Sequence, residues 1–188
     1  MDCMGHIGLA SSATDLVVTG RGAGVIEVET AGGELGVLEY LKRQMAGTLR
    51  PGDHTSMRYP TAISALLGFT LVEVGSGRAV VAVDADPTRH GNQQGTVHGG
   101  LMVELADAAI GTAHSTVIGA GESFTTIDLT ATFLRPVWAA RLSATADRVH
   151  EGRTINHYLC EVTRDDGKPV ARVSSAVMTL RGEKAVGR

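Results

Sequence analysis

Residues 95–117 read GTVHGGLMVELADAAIGTAHSTV, and the fold turns on how this stretch is read. From Val97 to Val117 it contains no proline and is dense in Ala, Leu and Met, all good helix formers. Its large apolar side chains, Leu101, Met102, Val103, Leu105 and Ile110, do not keep to one stripe of a helix but surround its axis. A helix that is apolar on nearly every side has to be buried, so the remainder of the chain is expected to wrap it. Two carboxylates interrupt this apolar cylinder: Glu104 and Asp107, at i and i+3, lie on nearly the same side, with Gly111 and His114 close by. An ionised carboxylate seldom stays buried without a partner, and Asp is a poor residue for a helix interior. Asp107 is therefore either a structural group satisfied by its neighbours or a catalytic one, and the pattern alone is balanced between the two. Glu104 reads as structural.

Upstream of this helix, apolar positions three and four apart in Leu35, Val37, Leu38, Leu41 and Met45 predict an amphipathic helix within residues 32–50, stopped by Pro51-Gly52-Asp53. A further helical turn is expected between Pro60 and Leu67. Phe69–Val74 and Arg78–Asp84 read as two strands joined by Gly75-Ser76-Gly77. Downstream, four strands are expected. In Ser123–Leu134 the residues Ile127, Leu129, Ala131 and Phe133 alternate with Thr126, Asp128, Thr130 and Thr132, which assigns the first set to the core. Leu142, Ala144 and Ala146 alternate with polar residues in the next strand, Thr154–Arg164 runs back after Glu151-Gly152-Arg153, and Asp165-Asp166-Gly167-Lys168 turns the chain into Val170–Leu180. The sum is an α+β protein: a largely antiparallel sheet with one long buried helix inserted after its second strand.

Composition narrows the function. The 188 residues suit one domain, with 43% hydrophobic and 20% charged residues, and a net charge of -3 offers no reason to expect nucleic acid as a partner. Cys3 and Cys160 are the two cysteines, too few for a disulfide framework or a four-cysteine metal site. No run of 18 apolar residues occurs, and residues 1–31, rich in Gly, Ala, Ser and Thr, read as a flexible extension without a signal-peptide pattern. A cytoplasmic protein with no membrane partner is the expectation. Gly20-Arg21-Gly22-Ala23-Gly24 has the look of a dinucleotide fingerprint but has Val25 at the third glycine and no helix pattern behind it. The histidines show no HxxxH or HxH spacing, and neither a GxSxG elbow nor a P-loop is present, so no metal is expected and serine-hydrolase and nucleotide chemistries are set aside.

Chemistry concentrates at the mouth of the long helix. Glycines at Gly99 and Gly100 let a ligand approach backbone N–H groups that have no intrahelical acceptor, and such groups bind anions. A thioester carbonyl placed there would find its developing negative charge stabilised by the N–H of Gly99 or Gly100. From the dipeptide alone, a plain tight turn into the helix is the favoured reading.

His98-Gly99-Gly100, six residues, then Asp107 resembles the signature of the hotdog-fold thioesterases of the phenylacetic-acid-pathway (PaaI) type, within the 4-hydroxybenzoyl-CoA thioesterase superfamily. Asn92 stands six residues before His98, as an active-site Asn does in similar enzymes, and Thr126-Ile127-Asp128 through Phe133-Leu134-Arg135-Pro136 is similar to the family's strand after the helix. The resemblance runs from about Ala62 to Leu180, giving a hotdog core over 62–180 within a domain of 32–188. It implies hydrolysis of an acyl- or aryl-CoA without a separate cofactor, CoA being part of the substrate. It also implies a homodimer with two shared sites, assembled further into a tetramer as a dimer of dimers. One chain would supply Asn92 and Gly99, the other Asp107, as general base or nucleophile, and Thr126. His98 would orient the loop. Thr126 replaces a common Ser, and Val137-Trp138-Ala139-Ala140 replaces a common glycine. Arg135, Arg148 and Arg153, near turns of the later strands, are candidates for the CoA phosphates. A hotdog hydratase or dehydratase and a non-catalytic acyl-CoA sensor are the alternatives.

Overall fold

The computed structural model describes residues 32–186. The expected extension at 1–31, with Cys3 and the glycine-rich stretch at 20–24, lies outside the described residues. Within them the elements run α1 (Val37–Ala46), α2 (Ala62–Leu67), β1 (Thr70–Gly75), β2 (Arg78–Ala85), α3 (Pro87–His90), α4 (Gly99–Ser115), β3 (Ser123–Thr126), β4 (Thr130–Phe133), β5 (Ala140–His150), β6 (Ile155–Arg164) and β7 (Pro169–Leu180), closed by a 3-10 turn at Gly182–Ala185. All strands pair antiparallel in one sheet of order β1-β2-β5-β6-β7-β3, with β4 also on β7. The sheet curls around α4, the hotdog arrangement of an α+β protein.

The core follows from the two periodicities. Leu142, Ala144 and Ala146 on β5 and Tyr158, Cys160 and Val162 on β6 alternate inward and meet Leu105, Ala109, Ile110 and Ala113 of α4. Alanines on both sides of this contact let the helix approach the sheet closely.

Each end of α4 is fastened. At its start the His98 imidazole Nδ1 accepts from the Gly100 N–H at 2.8 Å, a side-chain N-cap. At its end the Thr116 hydroxyl accepts from Gly77 N at 2.9 Å and lies 3.0 Å from the Gly75 carbonyl, which ties the helix to the β1–β2 hairpin. Gly77 takes a φ of +69°, and an added Cβ would press on the Arg148 side chain at 3.2 Å.

Four expectations are corrected. The leading helix stops before Pro51-Gly52-Asp53: Gly47, in the left-handed conformation, ends it and gives its N–H to carbonyls of the last turn. The helix of residues 99–115 is not buried all round, because Val103, Glu104, Asp107, Ala108, Gly111 and Thr112 form a half-exposed strip while Leu101, Met102, Leu105, Ala106, Ala109, Ile110, Ala113 and His114 face the sheet. The strand over 123–134 is broken: β3 pairs Thr126 with Val177, β4 pairs Thr130 with Ser174, and the extra residue between them leaves the ladder. There the Asp128 carboxylate accepts the Ala176 N–H at 2.9 Å in place of a strand carbonyl. In consequence Ile127, read as core, turns outward and is 48% exposed, whereas Phe133 keeps the inward side of Leu129 and Ala131 and covers Gly99, yet is 52% exposed in the single chain. Finally, His114 turns away from Asp107, into the sheet.

Candidate active site

Asp107 sits in the third turn of α4 on the half-exposed strip, and Thr126 closes β3 opposite it. The Thr126 hydroxyl donates to Asp107 Oδ1 at 3.1 Å, so the structure brings these two expected site residues together within one chain. Burial raises the proton affinity of the Asp107 carboxyl, and the Thr126 hydrogen bond partly offsets the rise. The net direction is upward.

Asp107 opens onto a cavity of about 1180 Å³. Glu104, Ala108, Gly111 and Thr112 of α4 form one wall with Phe124 of β3. The opposite wall comes from Leu41 and Met45 of α1, Met57 and Tyr59 of the following loop, and Ile63 of α2. Tyr59 is pinned to α4 by a 2.5 Å hydrogen bond between its hydroxyl and that of Ser115. Sequence reasoning found α1 by its periodicity but had no signal to place it over the carboxylate, since the pairing depends on tertiary packing.

The loop carrying the other candidates is built on its own hydrogen bonds. Asn92 Oδ1 accepts from the N–H groups of Gln94 and Thr96, and its Nδ2 donates to Thr96 Oγ1 at 2.9 Å, a turn that Gly95 completes with a φ of +77°. His98 N bonds the His90 carbonyl, bringing the chain back onto the helix mouth. Because His98 takes the Gly100 N–H, Gly99 is the one of the two glycines whose N–H meets no acceptor among the described residues. Phe133 covers Gly99 so closely that a Cβ there would stand 2.9 Å from its ring. A smaller cavity of about 310 Å³ lies beside this mouth, lined by His98, Gly100, Leu101 and Glu104.

The two halves of the expected site stand apart in one chain. Gly99 and Asp107 are eight residues apart on one helix, roughly 12 Å along its axis at 1.5 Å per residue. A single carbonyl cannot touch both. The three arginines line neither cavity: Arg135 donates to the Pro169 carbonyl at 2.5 Å, Arg148 pairs with Glu151 at 2.9 Å, and Arg153 lies at the β5–β6 turn, its carbonyl held by Arg181. Arg58, which sequence did not single out, lies on the large cavity.

His114 is fully buried, with Nδ1 3.0 Å from the Tyr158 hydroxyl and Nε2 3.1 Å from Thr179 Oγ1. Burial, aided by the Arg148 charge, pushes its pKa down to about 4, so it is a neutral linker of helix to sheet. The Cys160 thiol is buried and pushed up to about 12, which leaves it unreactive. Among the described residues no group of three or more His, Cys, Asp or Glu side chains could hold a metal ion, and no helix is long and apolar enough to cross a membrane.

The family model of the thioesterase superfamily matches residues 94–171, from the helix mouth to the start of β7. A protein of Haemophilus influenzae that carries the provisional name of an esterase is 30% identical over 98 residues, covering 50% of this chain and 71% of that protein. The structure of the PaaI protein from the phenylacetic acid degradation operon of Escherichia coli superposes with a TM-score of 0.60 at 29% identity, covering 65% of this chain and 87% of that one. A mutant of the phenylacetic acid degradation protein PaaI of Thermus thermophilus superposes with a TM-score of 0.58 at 31% identity, covering 63% of this chain and 98% of that one.

Proposed function

The chain belongs to the thioesterase superfamily, and from that premise we propose that it hydrolyses the thioester of an acyl- or aryl-CoA, with Asp107 as general base. The observation that carries the assignment is the Asp107 carboxylate, partly desolvated, held by Thr126 at one oxygen and opening onto a cavity large enough for an acyl group. With Oδ1 engaged, Oδ2 is left to take a proton from water. The oxygen of that water adds to the carbonyl carbon, and the proton on Asp107 passes to sulfur as the carbon–sulfur bond breaks. A raised proton affinity suits this role, because a stronger base transfers better as long as it remains ionised at the working pH. No further cofactor is needed to balance the reaction.

The oxyanion donor is the Gly99 N–H of a second copy of the chain, on a loop braced by that copy's Asn92 and His98. The separation of Gly99 from Asp107 along a rigid helix supports this two-chain site, and so does the exposed apolar surface of Ile127, Phe133 and Trp138 in the single chain. The test is free thiol release from a panel of aryl, short-chain and long-chain acyl-CoAs. Hydrolysis by the native protein and its loss by about 10²-fold or more in Asp107→Ala is the expected result. Equal rates in both would remove Asp107 from the mechanism. Single turnover in ¹⁸O-water then separates the two roles of a carboxylate: label incorporated into Asp107 would replace the base with a nucleophile.

A further inference from the structure

The cavity holds a second carboxylate that this mechanism does not use. Glu104 lies one helical turn before Asp107 on the same strip of α4, half-buried, and lines both the large cavity and the small one at the helix mouth. Among the described residues no hydrogen bond or ion pair reaches its side chain. Glu122, on the same cavity, shows the contrast: it accepts from Gly119 N at 2.7 Å and pairs with Arg181 at 2.5 Å. Glu104 gives up part of its hydration without gaining a donor, its oxygens staying open to the cavity, and burial together with the Asp107 charge raises its proton affinity. Desolvating a carboxylate without a compensating hydrogen bond costs stability, so folding alone gives no return for placing it there. A ligand would.

We propose that Glu104 selects the acyl group, accepting a hydrogen bond from a hydroxyl borne close to the thioester and turning away acyl groups that end in a carboxylate. The proposal rests on the thioesterase reading and adds the substrate class. Residues at i and i+3 of a helix hold their Cβ atoms about 5–6 Å apart, so a hydroxyl that reaches Glu104 lies only a few bonds from the carbonyl that Asp107 serves. A 3-hydroxyacyl group meets this spacing. A site built to bind a hydroxyl discriminates strongly against the analogue without it, and a fixed negative charge discriminates against an anionic acyl end.

The experiment compares kcat/KM for 3-hydroxybutyryl-CoA, butyryl-CoA and succinyl-CoA in the native protein, Glu104→Gln and Glu104→Leu. The native protein is expected to favour the hydroxylated substrate over butyryl-CoA by about tenfold or more. That ratio should fall in Glu104→Gln, approach one in Glu104→Leu, and be joined in both by improved use of succinyl-CoA relative to butyryl-CoA. Identical ratios in all three proteins would overturn the proposal, as would unchanged ratios accompanied by a shift in oligomeric mass, which would make a second copy the partner of Glu104. Calorimetric binding of the matching non-hydrolysable CoA thioethers separates the two readings. Discrimination in binding without thiol release from any substrate sinks the hydrolase assignment alone, and thiol release without discrimination sinks this one alone.

Discussion

At the scale of the residue, the site rests on one hydrogen bond. Thr126 lowers the proton affinity of Asp107 while burial raises it, and burial prevails. If Asp107 acts ionised, kcat/KM falls on the acid side of a pKa raised above the usual aspartate value. Removing the hydroxyl in Thr126→Val takes away the lowering contribution, so the acid limb of the profile moves to higher pH, while Thr126→Ser, which keeps the hydroxyl, leaves it close to the native position. A pH–kcat/KM series on the three proteins checks this, and coincident profiles would show that the bond does not bear on the ionised base. That Asp107 needs an explanation was legible in sequence, because a carboxylate in an apolar helix demands a reason; the cavity it opens onto was not. His114 was not legible in the same way: its helical position pointed to Asp107, but Tyr158 and Thr179, more than forty residues further along, capture both of its nitrogens. A contact of that sequence separation leaves no trace in local periodicity.

At the scale of the element, α4 is held to the sheet by that neutral imidazole. The sign of its effect on stability follows from its shift. Its pKa is about 4 folded against an ordinary 6.5, so between these values the unfolded chain binds a proton that the fold refuses, and stability falls as pH drops through the window. Urea midpoints at pH 7 and pH 5 are expected to show His114→Gln losing less than the native protein, by roughly 2 kcal/mol. Parallel losses would mean that the ring is not held neutral. Strand β5 was read correctly from alternation, because one face is core and the other solvent, and strand β6 from the turn that precedes it. The break between β3 and β4 escaped because Asp128, polar in an alternating pattern, looks like any outward-facing residue. Its role as a substitute acceptor for Ala176 N exists only once the register with β7 is set. The same bulge turned Ile127 outward against expectation.

At the scale of the whole molecule, a chain that carries Asp107 and Gly99 on one rigid helix cannot use both at one carbonyl. Two variants that are each inactive, Asp107→Ala and a Gly99 variant unable to donate, are therefore expected to recover activity when unfolded and refolded together. Random pairing makes half of the dimers mixed, with one of the two sites intact in each, so about a quarter of native activity should return. No recovery in refolded mixtures that sizing shows to be mixed would place the complete site within one chain. The proposed two-chain site would have a consequence for inheritance. A chain with one lesion would still lend its sound half to a partner, so each lesion would behave as recessive in a cell that also makes the native protein. A chain carrying both lesions would spoil both sites of every mixed dimer, and the pair together would be dominant. Two changes that are individually masked would become, when joined on one chain, exposed to selection at once.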